Sequence, residues 1–292
     1  MMAPEYYVFT GRVGEVISRH VTHVLIAEAL KFVPARAFMR HPNIQEVICH
    51  DGVEKIEEAA FFMCPSLRRI IMPGLKEIEQ AAFACCDALS YIECGKLEVV
   101  GFGAFGNCQS LSSVVLPSIK IVEGSAFQGC TNLINVKFGK DLESIRRQAF
   151  YICKLLERIT LPLKDDMLTS DNIFQRCANL NHVDLVGGVH ETIAALLMDE
   201  WKHDMNEEID TIRQNLASAH AGNVVNDAGG KAQAIRTWMR SVLSKIVHYK
   251  SEHLNNLNVA DAALHPALPN DIVLKSIFPF LELPSHTFEG ED

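Results

Sequence analysis

Apolar positions along this chain recur at a fixed long interval. Aligned on phenylalanine, the copies fall at Phe38, Phe61, Phe83, Phe105, Phe127, Phe150 and Phe174, in steps of 22 to 24 residues. Three residues after each Phe stands His41, Cys64, Cys86, Cys108, Cys130, Cys153 or Cys177. Three further on stands Ile44, Leu67, Leu89, Leu111, Leu133, Leu156 or Leu180. A β-branched residue follows (Val47, Ile70, Ile92, Val114, Val136, Ile159, Val183), with an apolar residue two later (Cys49, Met72, Cys94, Leu116, Phe138, Leu161, Leu185). That last alternation has the period of a short strand with one buried face.

A unit this short cannot cover its own apolar side, so each copy must bury itself against the next, which predicts a solenoid with one coil per copy. Ala60, Ala82, Ala104, Ala126 and Ala149 precede most of the Phe residues, as close approach of coils requires, and Ile173 breaks the rule in the last copy. Copy by copy, the pattern resembles the BspA-type leucine-rich repeat, I-x-x-x-A-F-x-x-C-x-x-L-x-x-I-x-L-P. Val100, Ala104, Phe105, Cys108, Leu111, Val114, Leu116 and Pro117 match it position for position. The resemblance covers Val21 to Leu185 in seven copies, and the C-terminal part also resembles algal BspA-like repeat proteins with a helical extension. The family implies a role in protein interaction and no assigned activity.

The expected fold class is therefore α+β: a solenoid with short parallel strands, followed by a long helical hairpin. Residues 1–20 are expected to form an N-terminal cap, with Tyr6–Phe9 and Val13–Ile17 paired as a hairpin around Gly11, and Val21–Ile26 to form a first incomplete rung. Residues 21–188 hold the repeats, and the composition changes at Gly187-Gly188, so that 189–292 form the helical region. Ile193, Leu197, Trp201, Met205, Ile209, Ile212 and Leu216 follow helical spacing, as do Ile235, Trp238, Val242, Ile246, Tyr249, His253 and Leu257 after an Ala-, Gly- and Asn-rich loop. The first of these helices is mostly acidic and the second mostly basic, which suits antiparallel pairing and argues against a phosphate-gripping surface. The net charge of −9 sits mainly in this region, with −7 after residue 188 and −2 before it.

The N-terminus lacks a basic start followed by an apolar core, and no run of eighteen apolar residues occurs, so an intracellular, cytoplasmic, non-membrane protein is expected. Six of the nine cysteines recur with the structural period and no Asn-x-Ser/Thr site exists. Buried free thiols are the expectation, since a zinc site would want closely paired cysteines. Gly101, Gly103 and Gly106 spell G-x-G-x-x-G, but the next strand comes too soon for the helix that a dinucleotide site needs. The same positions in the next copy are Glu123, Ser125 and Gln128, so these glycines read as turn residues. His203 and Glu207 lie at i,i+4 without a third ligand. No motif ties His20, His23, His50, His182 or His190 to a nucleophile, and no cofactor, metal or catalytic residue is expected.

Strand positions facing away from the core define the expected recognition surface. They are Glu46 and Ile48, Arg69 and Ile71, Tyr91 and Glu93, Ser113 and Val115, Asn135 and Lys137, Arg158 and Thr160, and His182 and Asp184. Of these, Ile48, Arg69, Ile71, Tyr91, Glu93, Val115, Lys137, Arg158 and His182 are the expected contacts for a protein or peptide partner, because apolar, aromatic and arginine side chains dominate binding surfaces. Seven rungs span about 29 Å, a strip suited to a peptide or to a weakly bound partner. Two alternatives accompany this reading. Leu268–Phe278 resembles the opening helix of an F-box, which would imply a ubiquitin-ligase substrate adaptor, and the helical hairpin could join two copies of the chain.

Overall fold

A computed structural model describes residues 6–12, 14–164, 166–186, 199–218 and 230–264. The repeats wind as a parallel β-solenoid of about seven turns. Six coils give one short strand to a wide face and a two-residue strand to a narrow face, while the coils of β1, β14 and β15 add wide-face strands alone. In chain order the strands are β1 (Tyr6–Phe9), β2 (His23–Ile26), β3 (Phe32–Val33), β4 (Glu46–Ile48), β5 (Lys55–Ile56), β6 (Arg69–Ile71), β7 (Glu77–Ile78) and β8 (Tyr91–Glu93). They continue as β9 (Val99–Val100), β10 (Ser113–Leu116), β11 (Ile121–Val122), β12 (Asn135–Phe138), β13 (Ser144–Ile145), β14 (Arg158–Leu161) and β15 (His182–Leu185). The narrow sheet is continuous, in the order β13-β11-β9-β7-β5-β3. Wide-face strands form two sheets, β1-β2-β4-β6-β8 and β10-β12-β14-β15.

The three sequence columns interlock as the repeat demands. Rings of Phe38, Phe61, Phe83, Phe105, Phe127 and Phe150 stack with centroids 4.8–5.4 Å apart and planes within 6° of parallel, and Phe174 extends the column at 5.7 Å. Each Phe amide donates to the residue before the next Phe, as from Phe83 to Ala104 O and Phe105 to Ala126 O, both at 2.8 Å. Each thiol donates backwards to the preceding coil: Cys64 to Phe38 O, Cys86 to Phe61 O, Cys108 to Phe83 O, Cys130 to Phe105 O, Cys153 to Phe127 O and Cys177 to Phe150 O, at 2.9–3.2 Å. Cysteine thus supplies a small apolar body with a weak donor, which a buried carbonyl needs. All nine cysteines are free thiols, and burial pushes those of Cys64 and Cys130 up to about 12.

The turns around each Phe are set by the stack rather than by local preference. From Phe38 to Phe150, residues two before and two after it adopt left-handed backbone, among them Ala59, Met63, Ala81, Cys85, Gly103, Asn107, Gly129 and Ile152. A β-branched residue is poorly suited to that region, so Ile152, at φ 62°, is held there by its neighbours. Within G-x-G-x-x-G, Gly103 supplies a positive φ, and a Cβ on Gly101 would lie 2.6 Å from Ile78 O of the coil below. Both are turn roles, as the repeat context implied.

In the first copy His41 replaces the thiol and does the same work at longer reach. Its Nε2 donates to Ser18 O at 3.0 Å, while Nδ1 accepts from the amides of Ile44 and Asn43 at 3.3 and 3.4 Å. Only a neutral ring offers that lone pair. Burial, aided by the Arg19 charge, holds the His41 pKa below its ordinary value despite the opposing bond to Ser18. An unfolded chain takes up this proton first, near the usual value of about 6.5. The His41 contribution is therefore full above that pH and is lost as pH falls below it. Thermal melts at pH 7.5 and 5.5 are expected to show a smaller acid-induced drop in His41→Gln than in the wild type; equal drops would count against the neutral-ring assignment.

The expected N-terminal hairpin does not form. β1 pairs in parallel with β2, Tyr6 beside His23 and Phe9 beside Ile26, so it is a further rung of the wide face. Residues 14–20 hold no strand. The physical reason is the open end of the Phe column: Phe9, buried in β1, lies 4.8 Å from Phe38 with its ring tilted 59°, and covers the first ring from the added rung. The connection between them is tied by Glu15, which accepts from the Thr10 and Arg12 amides, the Thr10 hydroxyl and Tyr7 Oη.

Two helices follow, α1 (Asp199–Ser218) and α2 (Gly230–Leu264). The chain divides into two compact units, residues 1–186 with 212–236, and residues 187–211 with 237–292. In the first unit, Ile212, Leu216, Ala232 and Ile235 are buried, and the start of α2 supplies polar partners to the last coil. Lys231 Nζ donates to Ala178 O at 2.9 Å and Leu180 O at 2.7 Å, and Arg236 donates to Leu168 O at 3.1 Å. In the second unit, Glu208 accepts from Ser241 Oγ at 2.7 Å and pairs with Lys245 at 2.9 Å, while Asp204 lies 3.8 Å from Lys245. The helices are therefore antiparallel with complementary charge. The F-box-like stretch Leu268–Phe278 and residues 190–198 of the expected first helix lie outside the described residues.

Candidate functional site: the exposed face of the wide sheet

Parallel register without slippage places each outward residue beside its counterpart one coil away, so side chains form rows across the strands. On the β1–β8 sheet one row reads Val8, Leu25, Ile48, Ile71, Glu93. The other reads Tyr6, His23, Glu46, Arg69, Tyr91. The first is apolar over four consecutive rungs and stops at Glu93. Val8 is 50% exposed, and Leu25, Ile48 and Ile71 are each half-buried.

The second row is prelinked. Tyr6 Oη donates to Glu46 at 2.6 Å, which raises the Tyr6 pKa, and its ring meets His23 edge-on at 5.2 Å. Glu46 pairs with Arg69 Nε at 3.4 Å, and the Arg69 guanidinium lies 4.8 Å over the Tyr91 ring. Tyr91 Oη closes the series by donating to Glu93 at 2.9 Å. These side chains already sit in fixed positions, so a partner would order few of them on binding.

The β10–β15 sheet differs in chemistry. Its rows read Val115, Lys137, Thr160, Asp184 and Ser113, Asn135, Arg158, His182. Arg158 is engaged by Asp184 through both carboxylate oxygens, at 2.8 and 3.1 Å. His182 Nδ1 contacts Asn181 Oδ1. Val115, 59% exposed, is the one apolar side chain in these rows. The structure thus brings Ile48, Arg69, Ile71, Tyr91 and Glu93 together on one sheet and places Val115, Lys137, Arg158 and His182 on another. The expected unbroken strip of seven rungs is divided between β8 and β10. Elsewhere a single carbonyl takes two amides of the next rung, as Arg68 O does from Ser90 and Tyr91, and Ser112 O from Ile134 and Asn135; no such pair joins Ser90 to Ser112 and Ser113.

Sequence reasoning missed Tyr6, Val8, His23 and Leu25, because it assigned the first stretch to a hairpin and the second to an incomplete rung. The signal was present: Tyr6–Phe9 and His23–Ile26 share the strand alternation of the other coils.

The narrow face is self-satisfied. Backbone bonds place Lys31, Glu54, Lys76, Glu98, Lys120 and Glu143 one above another, so that charge alternates at each coil. Lys76 pairs with Glu54 at 3.0 Å and Lys120 with Glu98 at 2.8 Å, while Lys55 contacts Glu79 at 2.6 Å beside this column. Among the described residues, no three His, Cys, Asp or Glu side chains are grouped to hold a metal ion. No helix among them is long and apolar enough to cross a membrane. His203 and Glu207 form an exposed pair at 3.2 Å on α1.

Parallel coils of 22 to 24 residues, with a buried Phe in each and a buried Cys and Leu in all but the first, define a leucine-rich-repeat solenoid. The BspA type leucine rich repeat region, in six copies, matches residues 31–118 and 98–197. That is more than half of the 292 residues, and the chain belongs to this family. Such repeats generally build protein-interaction scaffolds.

Among solved structures, the chain is similar to the T. pallidum leucine rich repeat protein TpLRR, at 24% identity over 69% of this chain and 87% of that one, with a TM-score of 0.44. It is similar also to a leucine-rich repeat protein from Eubacterium ventriosum, at 26% identity over 46% of this chain, with a TM-score of 0.43. The match spans 37% of that protein, less than two thirds of its length. A leucine rich cell surface protein from Faecalibacterium prausnitzii matches at 23% identity over 58% of this chain and 61% of its own, with a TM-score of 0.30. No curated protein matches the chain.

Proposed function

We propose that the protein is a non-catalytic interaction scaffold that seats a protein or peptide segment bearing apolar side chains on the β1–β8 face. One observation carries this reading. Val8, Leu25, Ile48 and Ile71 form an apolar row on consecutive rungs beside the linked series Tyr6, Glu46, Arg69, Tyr91. A water-facing sheet has no structural need for four aligned aliphatic residues, and the narrow face of the same solenoid carries paired charges instead. Tyr and Arg are also the residue types in which binding energy concentrates.

A random peptide library displayed on phage and selected on the full wild-type chain supplies the probe. Peptides so selected are expected to bind an Ile71→Asp/Tyr91→Asp double variant at least about 30-fold more weakly, since a single hot-spot residue is worth about 2 kcal/mol or more. An Arg158→Ala variant on the other sheet should leave their affinity unchanged. Equal affinity for the double variant and the wild type, with the fold intact by circular dichroism, would overturn the site.

A further inference from the structure

The two ends of the solenoid are finished differently. At the C-terminal end, Lys231 and Arg236 occupy the Ala178, Leu180 and Leu168 carbonyls of the last coil. At the N-terminal end, among the described residues, β1 has one neighbour in its sheet and β3 has one in the other. Three apolar side chains there are open to water, Val8 at 50%, Phe32 at 44% and Val16 at 87%, alongside exposed Arg12 and Arg19 in the connection that follows β1. An edge strand presents unpaired amides and carbonyls, and proteins usually blunt it with charge, proline or a bulge. β1 reads Tyr-Tyr-Val-Phe and carries none of these.

From this asymmetry we infer that two copies of the chain join through β1, edge to edge about a twofold axis, extending the wide sheet from one molecule into the other. The occupant follows from what each end permits. A head-to-tail stack would have to displace the α2 contacts on the last coil, whereas an N-to-N contact uses identical surfaces and closes at a dimer. Twofold pairing of β1 is antiparallel, and an uncharged strand can meet its own copy without opposing like charges. Aromatic and β-branched pairs of the kind it would form are favourable across strands.

The apolar row gives a second argument. It ends at Glu93 on the inner side but runs without a polar stop to Val8 at the edge. Joining two copies makes one row, Ile71-Ile48-Leu25-Val8 continued by its twofold mate, over eight rungs and about 34 Å. The doubled row as a partner platform rests on the reading of this face given above; the dimer itself does not.

Sedimentation velocity of the full chain tests the dimer. Wild-type protein is expected to reach twice 32.5 kDa as concentration rises. Val8→Lys and Val8→Glu should each weaken self-association at least tenfold, through like charges at the contact, and an equimolar mixture of the two should restore it. Hydrogen exchange of the wild type provides a readout that needs no variant: Tyr6–Phe9 amides should gain protection with concentration while β12 amides do not. A mass of 32.5 kDa at every concentration up to about 100 μM would overturn the inference. So would a dimer in which β1 exchange is independent of concentration, whatever its effect on peptide binding to the sheet face.

Discussion

Phe105→Ala is expected to destabilise the solenoid by about 3–5 kcal/mol, the cost of deleting a fully buried aromatic side chain. Phe105 is 1% exposed, and its ring lies 5.4 Å from Phe83 and 5.3 Å from Phe127 with planes 6° from parallel. Removing it opens a gap between two rings that cannot close, because the backbone spacing is set elsewhere. The Phe105 amide remains bonded to Ala126 O, and its carbonyl still takes the Cys108 amide and the Cys130 thiol. The loss is therefore one of packing, felt by both neighbouring coils. Stability in a solenoid is close to a nearest-neighbour sum, so the deficit falls in the middle of the stack. Against a typical total of about 5–15 kcal/mol, the melting temperature should drop on the order of 10 °C. Phe32→Ala, at a 44% exposed site, should cost far less. An unchanged denaturation midpoint for Phe105→Ala would mean that the ring column is not what holds the coils together.

Periodicity made this column legible. A residue type recurring every 22 to 24 positions can be aligned by eye, and parallel stacking then follows from the need of each coil to be covered. What lay off the period was lost. Tyr6 precedes His23 by 17 residues, a shorter interval than any later copy, so the first rung resembled a separate hairpin although Phe9 covers the first ring of the column at a 59° tilt. His41 fell on the thiol position but gave no hint that its Nε2 would reach Ser18 O of the preceding turn. The division between β8 and β10 left no mark either: the strand alternation is the same on both sides, and it is the inter-rung amide pairs that stop there. As for the candidate site, the outward positions followed from strand alternation, but their linkage did not. Nothing in the residue types alone sets Arg69 over the Tyr91 ring or joins Glu46 to Tyr6.

Least legible of all was Lys231, which sequence patterning places among the basic residues of the second helix. In the structure it is 6% exposed, with Nζ directed at two carbonyls of the last coil. Those oxygens lie in the last coil, beyond which no described residue supplies a further rung of amide donors, and a buried carbonyl without a donor is costly. Lys231→Met keeps much of the apolar stem and removes the ammonium, leaving both oxygens to find other partners. Hydrogen bonds to charged groups contribute about 1.5–3 kcal/mol each, and relief from burying a charge offsets part of that. The net destabilisation is expected to be about 2–3 kcal/mol, read in a denaturant titration. It should appear first as faster hydrogen exchange in His182–Leu185, with the Phe83–Phe127 coils unaffected. Lys245→Met, within the second unit, whose partner there is Glu208 and whose side chain is 30% exposed, should cost less. If Lys231→Met matched the wild type in both measurements, α2 would not be the element that closes the solenoid, and the end opposite β1 would be as open to stacking as β1 itself.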